Sequence, residues 1–253
     1  MFQMIEVKNY IAAVLLASLL LGCDEEPSPC TRLVNGVYKY PELPNNHNFS
    51  HEQIHDYWDL PKDIWNCIST DGLIESCLTY PEINVIYAGS TPQKGYNLVF
   101  SQFSGLGELE RRADASDHLL VKYKSIDPLE VSSFKEELEQ GQFVINLCNI
   151  EIILSQYIYL NKLTNKQKKA LTTRARSVYL LKREAGSYHG VFGLAFTAAI
   201  LGRLMKLDNY SPFMEVYNPK QQNWSVVEQY WGTTFETTET IYAISEDYLN
   251  SLN

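Results

Sequence analysis

The chain is short of positive charge: 21 Lys and Arg stand against 30 Asp and Glu, a formal charge of −9 over 253 residues. A nucleic-acid surface needs a basic face to meet phosphate, so nucleic acid is excluded as a main partner. Glycine and proline are scarce, 13 and 10 residues, which excludes a collagenous or low-complexity chain. A 45% hydrophobic composition excludes wholesale disorder. The five cysteines lack the paired spacing of a structural zinc site, since Cys67 and Cys77 have no second pair to work with. No glycine loop able to cradle phosphate is present, and no Gly-x-Ser-x-Gly nucleophile turn. What remains is apolar material enough for one sizeable core.

The amino terminus carries the strongest signal. Residues 11–21 are uncharged and apolar, and they follow Lys8. The run has the length of a signal-peptide apolar region and is too short to cross a bilayer. Leu20, Leu21, Gly22 and Cys23 then follow in order. This resembles the bacterial lipobox, in which a small residue precedes a cysteine that is acylated and exposed by cleavage. The resemblance implies loss of the signal peptide, residues 1–22, and fatty acyl chains such as palmitate on Cys23. Several chains give stable membrane anchoring where one is marginal. Asp24, Glu25 and Glu26 come next. They resemble the surface-export signal of Bacteroidota lipoproteins, while an Asp in that place also resembles the inner-membrane retention signal of enterobacteria. The expected location is the cell envelope, with the outer membrane or cell surface favoured and the periplasmic face of the inner membrane as the other placement.

An exported compartment permits disulfides, and Cys30, Cys67, Cys77 and Cys148 allow three pairings. Unpaired core thiols are the leading expectation, with a Cys67–Cys77 bridge as the alternative; Cys148 lies in a very apolar stretch and reads as a buried thiol. Lys162, Lys166, Lys168, Lys169, Arg174, Arg176, Lys182 and Arg183 fall in a stretch without an acid, whereas residues 24–82 are acidic. The basic stretch reads as a solvated helix face set against the acidic part. Contact with anionic lipid or an acidic partner is the second reading.

Periodicity and capping signals predict an all-α fold: a multi-helix bundle or helical-repeat-like stack, with a small irregular or β-containing C-terminal segment. Residues 23–49 read as a lipid-anchored tether and irregular chain, 50–210 as the helical domain, and 211–253 as an extension packed on it. Ser50 with Gln53, and Thr164 with Gln167, have capping-box spacing, and Ser69 or Thr70 caps another helix. Residues 143–160 and 191–205 read as two central helices. Polar Asn146, Asn149 and Glu151 make lipid exposure of the first costly. A helix opened by Asp127-Pro128 is expected to break at Gly141, and residues after Pro212 suggest turns and a strand pair. Leu60-Pro61 through Tyr80-Pro81, followed by Phe103-Ser104-Gly105-Leu106, resembles a segment of uncharacterised secreted lipoproteins of Bacteroidota and Firmicutes. That likeness covers about half of the chain and implies fold kinship alone.

One motif has a catalytic look. His51-Glu52-Gln53-Ile54-His55 reads H-E-x-x-H, in which a helix sets both imidazoles on one face to share Zn²⁺ and the intervening Glu serves as general base. This resembles the zincin metallopeptidases. Glu75 follows His55 at the spacing where the gluzincin branch places its third ligand. The surroundings argue against catalysis, because Asp56 follows the second His and Pro61 cuts the helix short. The competing reading is an exposed, capped helix whose Glu52 favours the helix N-terminus. Simple metal binding by His51, His55 and His47 is a third. His118 reads as a surface histidine and His189 as a packed or surface one, and Trp224, Tyr230 and Trp231 as the aromatic residues most open to a ligand.

The leading expectation is therefore a membrane-anchored, non-enzymatic binding or scaffolding module with no cofactor, facing an envelope protein or glycan. The alternative is a zinc-dependent hydrolase.

Overall fold

The computed structural model of the protein describes residues 28–45 and 48–252. Cys23, with the whole lipobox, and His47 lie outside the described residues. Within them the chain begins with a small antiparallel hairpin, β1 (Leu33–Val34) and β2 (Val37–Tyr38), in register Leu33↔Tyr38 and Val34↔Val37. Asn35 and Gly36 both take positive φ, 53° and 80°, the two-residue turn that matches strand twist. So small a hairpin needs support. It lies on helix α2 (Thr70–Leu78), where the Tyr38 amide donates to Ser76 Oγ at 2.9 Å and the Tyr40 hydroxyl to the Ser76 carbonyl at 2.9 Å.

The rest of the described chain is helical, as the periodicity predicts. Helix α1 (His51–Trp58) starts at the expected capping box: Gln53 N donates to Ser50 Oγ at 3.3 Å and Ser50 N to Gln53 Oε1 at 2.8 Å. Ser69 caps α2 by accepting from Gly72 N at 3.0 Å. Three helices follow, α3 (Pro92–Gln102), α4 (Ser104–Arg111) and α5 (Ala115–Ser125). Helix α6 (Glu137–Leu154) comes next. It runs through Gly141, where a break was expected. Gly141 costs roughly 1 kcal/mol in a helix interior, which burial of Val144, Leu147, Ile150, Ile153 and Leu154 on the same helix exceeds.

Helix α7 (Tyr157–Leu160) is one turn long, so the expected helix over residues 143–160 is two elements divided at Ser155 and Gln156. Helix α8 (Asn165–Glu184) is the basic helix with its Thr164–Gln167 cap, and α9 (Gly186–Leu207) is the second central helix. Gly190, at φ 55°, kinks the first turn of α9. The chain closes with α10 (Ser211–Val216), α11 (Val226–Gln229) and α12 (Phe235–Ser251). The expected C-terminal strand pair is absent among the described residues. Thr234 accepts from Thr237 N at 3.2 Å and starts α12 there instead.

Helix α9 occupies the middle and packs against α6, α8, α11 and α12. Its 22 residues are apolar and long enough to cross a membrane, and Phe196, Ile200, Leu201, Leu204 and Met205 are fully buried by neighbouring helices. One buried apolar cluster extends from Tyr38 to Leu252, so the C-terminal helices share the core of the preceding ones. Two of the polar networks within it join several helices. Glu151 and Lys182 form an ion pair at 2.5 Å with neither side chain exposed. Tyr123 and Thr197 donate to the same carboxylate at 3.0 and 2.6 Å, and Lys182 Nζ also donates to the Gly193 carbonyl at 2.9 Å. Arg203, 2% exposed, donates to the carbonyls of Val227, Ser155 and Glu228 at 2.6, 3.0 and 2.8 Å. That arginine fixes the C-terminal segment to the bundle, its buried N–H groups meeting these acceptors as burial demands.

Cys30 and Cys67 are joined in a disulfide with Cα atoms 5.7 Å apart, while Cys77 and Cys148 are buried free thiols. This corrects both expectations for Cys67, since it is neither unpaired nor bonded to Cys77. Cys77 is fully buried in the core on α2, whereas Cys67 is half-buried in the segment before that helix. Burial pushes the Cys148 thiol up to about 12 and raises that of Cys77 as well, the behaviour of unreactive core cysteines.

Candidate functional site

The short helix α1 projects His51 and His55 from consecutive turns. His51 is exposed and His55 is 8% exposed. The His55 Nε2 and His51 Nδ1 atoms are 2.9 Å apart, with the two rings nearly perpendicular at 87° and their centroids 4.2 Å apart. On its inner side His55 Nδ1 meets Glu82 Oε2 at 2.5 Å. The Tyr80 hydroxyl donates to the same Glu82 oxygen at 3.2 Å. Burial, and then the Glu82 carboxylate, hold the Tyr80 phenol above its ordinary range, so it stays a donor. The Tyr80 ring stacks on Phe103 with centroids 4.1 Å apart, which fixes the segment carrying Glu82.

The contact with Glu82 defines a role for one nitrogen of His55. Glu82 accepts from Nδ1–H of His55, and in the neutral ring the Nε2 lone pair is then directed at His51. A carboxylate holding the far nitrogen of an imidazole is the usual support for a metal-binding histidine. One ligand-capable atom from each of His51, His55 and Glu82 lies within 4.8 Å of the others.

The zincin expectation is met only in its two histidines. Glu52 is exposed in the first turn of α1 and is not among the three clustered groups. Glu75, the expected third ligand, lies on α2 and forms an ion pair with Lys122 of α5. The carboxylate at the histidines is Glu82, brought in from beyond Pro81 by the turn that follows α2. No spacing rule joins it to His55, so the sequence gives no sign of it.

The other expected surfaces are largely used up inside the molecule. Of the basic stretch, Lys168 pairs with Asp208, Arg176 with Glu246, Arg183 with Glu239 and Lys182 with Glu151. Lys162 donates to the Glu110 carbonyl at 2.9 Å, and Arg174 donates to the Ile126 carbonyl. Lys162, Lys166, Lys169 and Arg183 are exposed, so part of the helix face is solvated as expected, but its acid partners Asp208, Glu246, Glu239 and Glu151 come from later elements and not from residues 24–82. Trp224 and Tyr230 are buried, contrary to expectation. Trp224 meets Phe213 and Tyr217 edge-on, and Tyr230 stacks on Phe196 at 5.3 Å beneath the Arg203 guanidinium. Trp231 is 53% exposed. It borders an apolar cleft of about 300 Å³ with Val191, Phe192, Ala195 and Tyr230. His118 bonds to Asp71 at 2.7 Å, and His189 takes the packed of its two readings.

Compared with protein-family models, characterised proteins and solved structures, the chain matches none.

Proposed function

We propose that the protein is a lipid-anchored component of the cell envelope, attached through Cys23, that acts there as a non-enzymatic binding module. The Cys30–Cys67 disulfide is the observation that carries the location. Such bonds persist in oxidising compartments outside the cytosol, in agreement with a lipobox a few residues upstream. The cleft under Trp231 suits an apolar or sugar face of an envelope protein or glycan, because an exposed indole contributes large contact area at small entropic cost.

The test of the anchor is metabolic labelling with palmitate in the host cell. Label is expected in the membrane fraction of the wild type and absent from Cys23→Ser. Recovery of the unprocessed, unlabelled chain in the cytosol overturns the proposal.

Zinc-dependent hydrolysis by His51, His55 and Glu52 is the second reading. It draws on the 2.9 Å approach of the two rings. It has less support, since the one carboxylate at the pair, Glu82, is spent on His55 Nδ1 and cannot serve as base to a water on the far side of the ring.

A further inference from the structure

We propose that His51 and His55 bind one divalent transition-metal ion of the zinc, copper or nickel type, with Glu82 orienting the inner imidazole. The site is open on the His51 side, where water fills the remaining coordination positions, and it stabilises the protein without a catalytic role. It is independent of the Trp231 cleft and of hydrolysis.

Two observations lead there. The first is the approach of two imidazole nitrogens to 2.9 Å on one face of a capped helix. Around a tetrahedral ion with bonds of about 2.0–2.1 Å, two nitrogens stand roughly 3.3 Å apart. The rings therefore need to part by only about half an ångström. His51 can make that movement because it is exposed in the first turn, while His55 is held by its burial.

The second is the Glu82 contact to His55 Nδ1 at 2.5 Å. It sets the tautomer that leaves Nε2 free to bind, and its negative charge lies behind the ring that would receive a dication. Metal binding uses the unprotonated Nδ1 of His51 and Nε2 of His55, each ring keeping its proton on the other nitrogen, which leaves the Glu82 contact in place. Imidazole donors select zinc, copper and nickel over magnesium and calcium, which prefer oxygen.

Calorimetric titration of the full chain in detergent, carrying no histidine tag, tests the site with ZnCl₂, NiCl₂ and MgCl₂. One equivalent of zinc is expected to bind in the micromolar range, with nickel binding and magnesium silent. His51→Ala is expected to lose at least 100-fold in zinc affinity; its exposed position keeps the fold intact, which circular dichroism checks. Glu82→Gln is expected to lose 10–100-fold, and Glu52→Gln and Glu75→Gln to bind as the wild type does. Zinc is also expected to raise the melting temperature of the wild type and not of His51→Ala. A wild type that takes up no zinc, or a His51→Ala variant that binds it equally well, overturns the site. Unchanged binding by Glu52→Gln keeps this outcome separate from any result on hydrolysis.

Discussion

His189 is 2% exposed at the start of α9, its Nε2 donating to the Pro128 carbonyl at 3.2 Å and its Nδ1 without a partner. Burial, and then the Lys182 charge, lower its pKa to about 4, against the Pro128 hydrogen bond that works the other way. The folded protein keeps this ring neutral, whereas the unfolded chain takes up a proton near pH 6.5. Between those values the unfolded state binds more protons, so stability falls as the pH drops. The loss from this one group is expected to reach about 2–3 kcal/mol between pH 7.5 and 4.5. Urea unfolding at the two pH values, compared with His189→Gln, measures it: the variant is expected to show the smaller decline, and equal declines refute the assignment. At this same scale the caps at Ser50, Ser69 and Thr164 and the facing of His51 and His55 were legible, because each depends on residues within one or two turns. Glu82 and the burial of Trp224 and Tyr230 were not, because their partners come from other elements.

Between elements, the informative case is Glu151. In the sequence it reads as the one charge in an apolar stretch, enough to argue against lipid exposure, and Lys182 reads as part of a solvated basic face. The fold brings them together where α6, α8 and α9 meet, with Tyr123 from α5 adding its hydroxyl. A charge buried without its partner is costly, while an apolar pair of similar volume is tolerated. Lys182→Met is therefore expected to lose about 3–5 kcal/mol, read as a drop in the urea midpoint. The double variant Glu151→Leu with Lys182→Met is expected to recover much of that loss. A double variant as unstable as the single one contradicts this account. The length of α8 was legible from its cap, and the apolar run 191–205 located α9, although the helix begins earlier, at Gly186. The hairpin at Asn35-Gly36 is not among the expected elements, since residues 23–49 read as irregular chain; in the structure Gly36 supplies the positive φ that the turn requires.

For the whole molecule, an all-α body with a continuous core follows from composition and helical period. The disulfide does not, since four cysteines leave the pairing open and only the folded chain brings Cys30 to Cys67. Their sequence separation is 37 residues, and closing a loop of that length stabilises by about 2–4 kcal/mol. Cys30→Ser with Cys67→Ser is expected to lose that amount in urea unfolding. A thiol reagent applied to the native wild type is expected to leave Cys77 and Cys148 unmodified until denaturant is added. Early modification of either thiol, or a double variant as stable as the wild type, counts against the pairing and burial described.

The position of that bond has a mechanical consequence. If the protein is tethered by Cys23, any tug from the membrane enters the body at Cys30 and passes across the sulfur atoms to Cys67. The intervening segment, with the hairpin and both ring-bearing turns of α1, is bypassed by the load. A reduced molecule would instead be peeled from its hairpin inward, and the histidine pair would be among the first features lost.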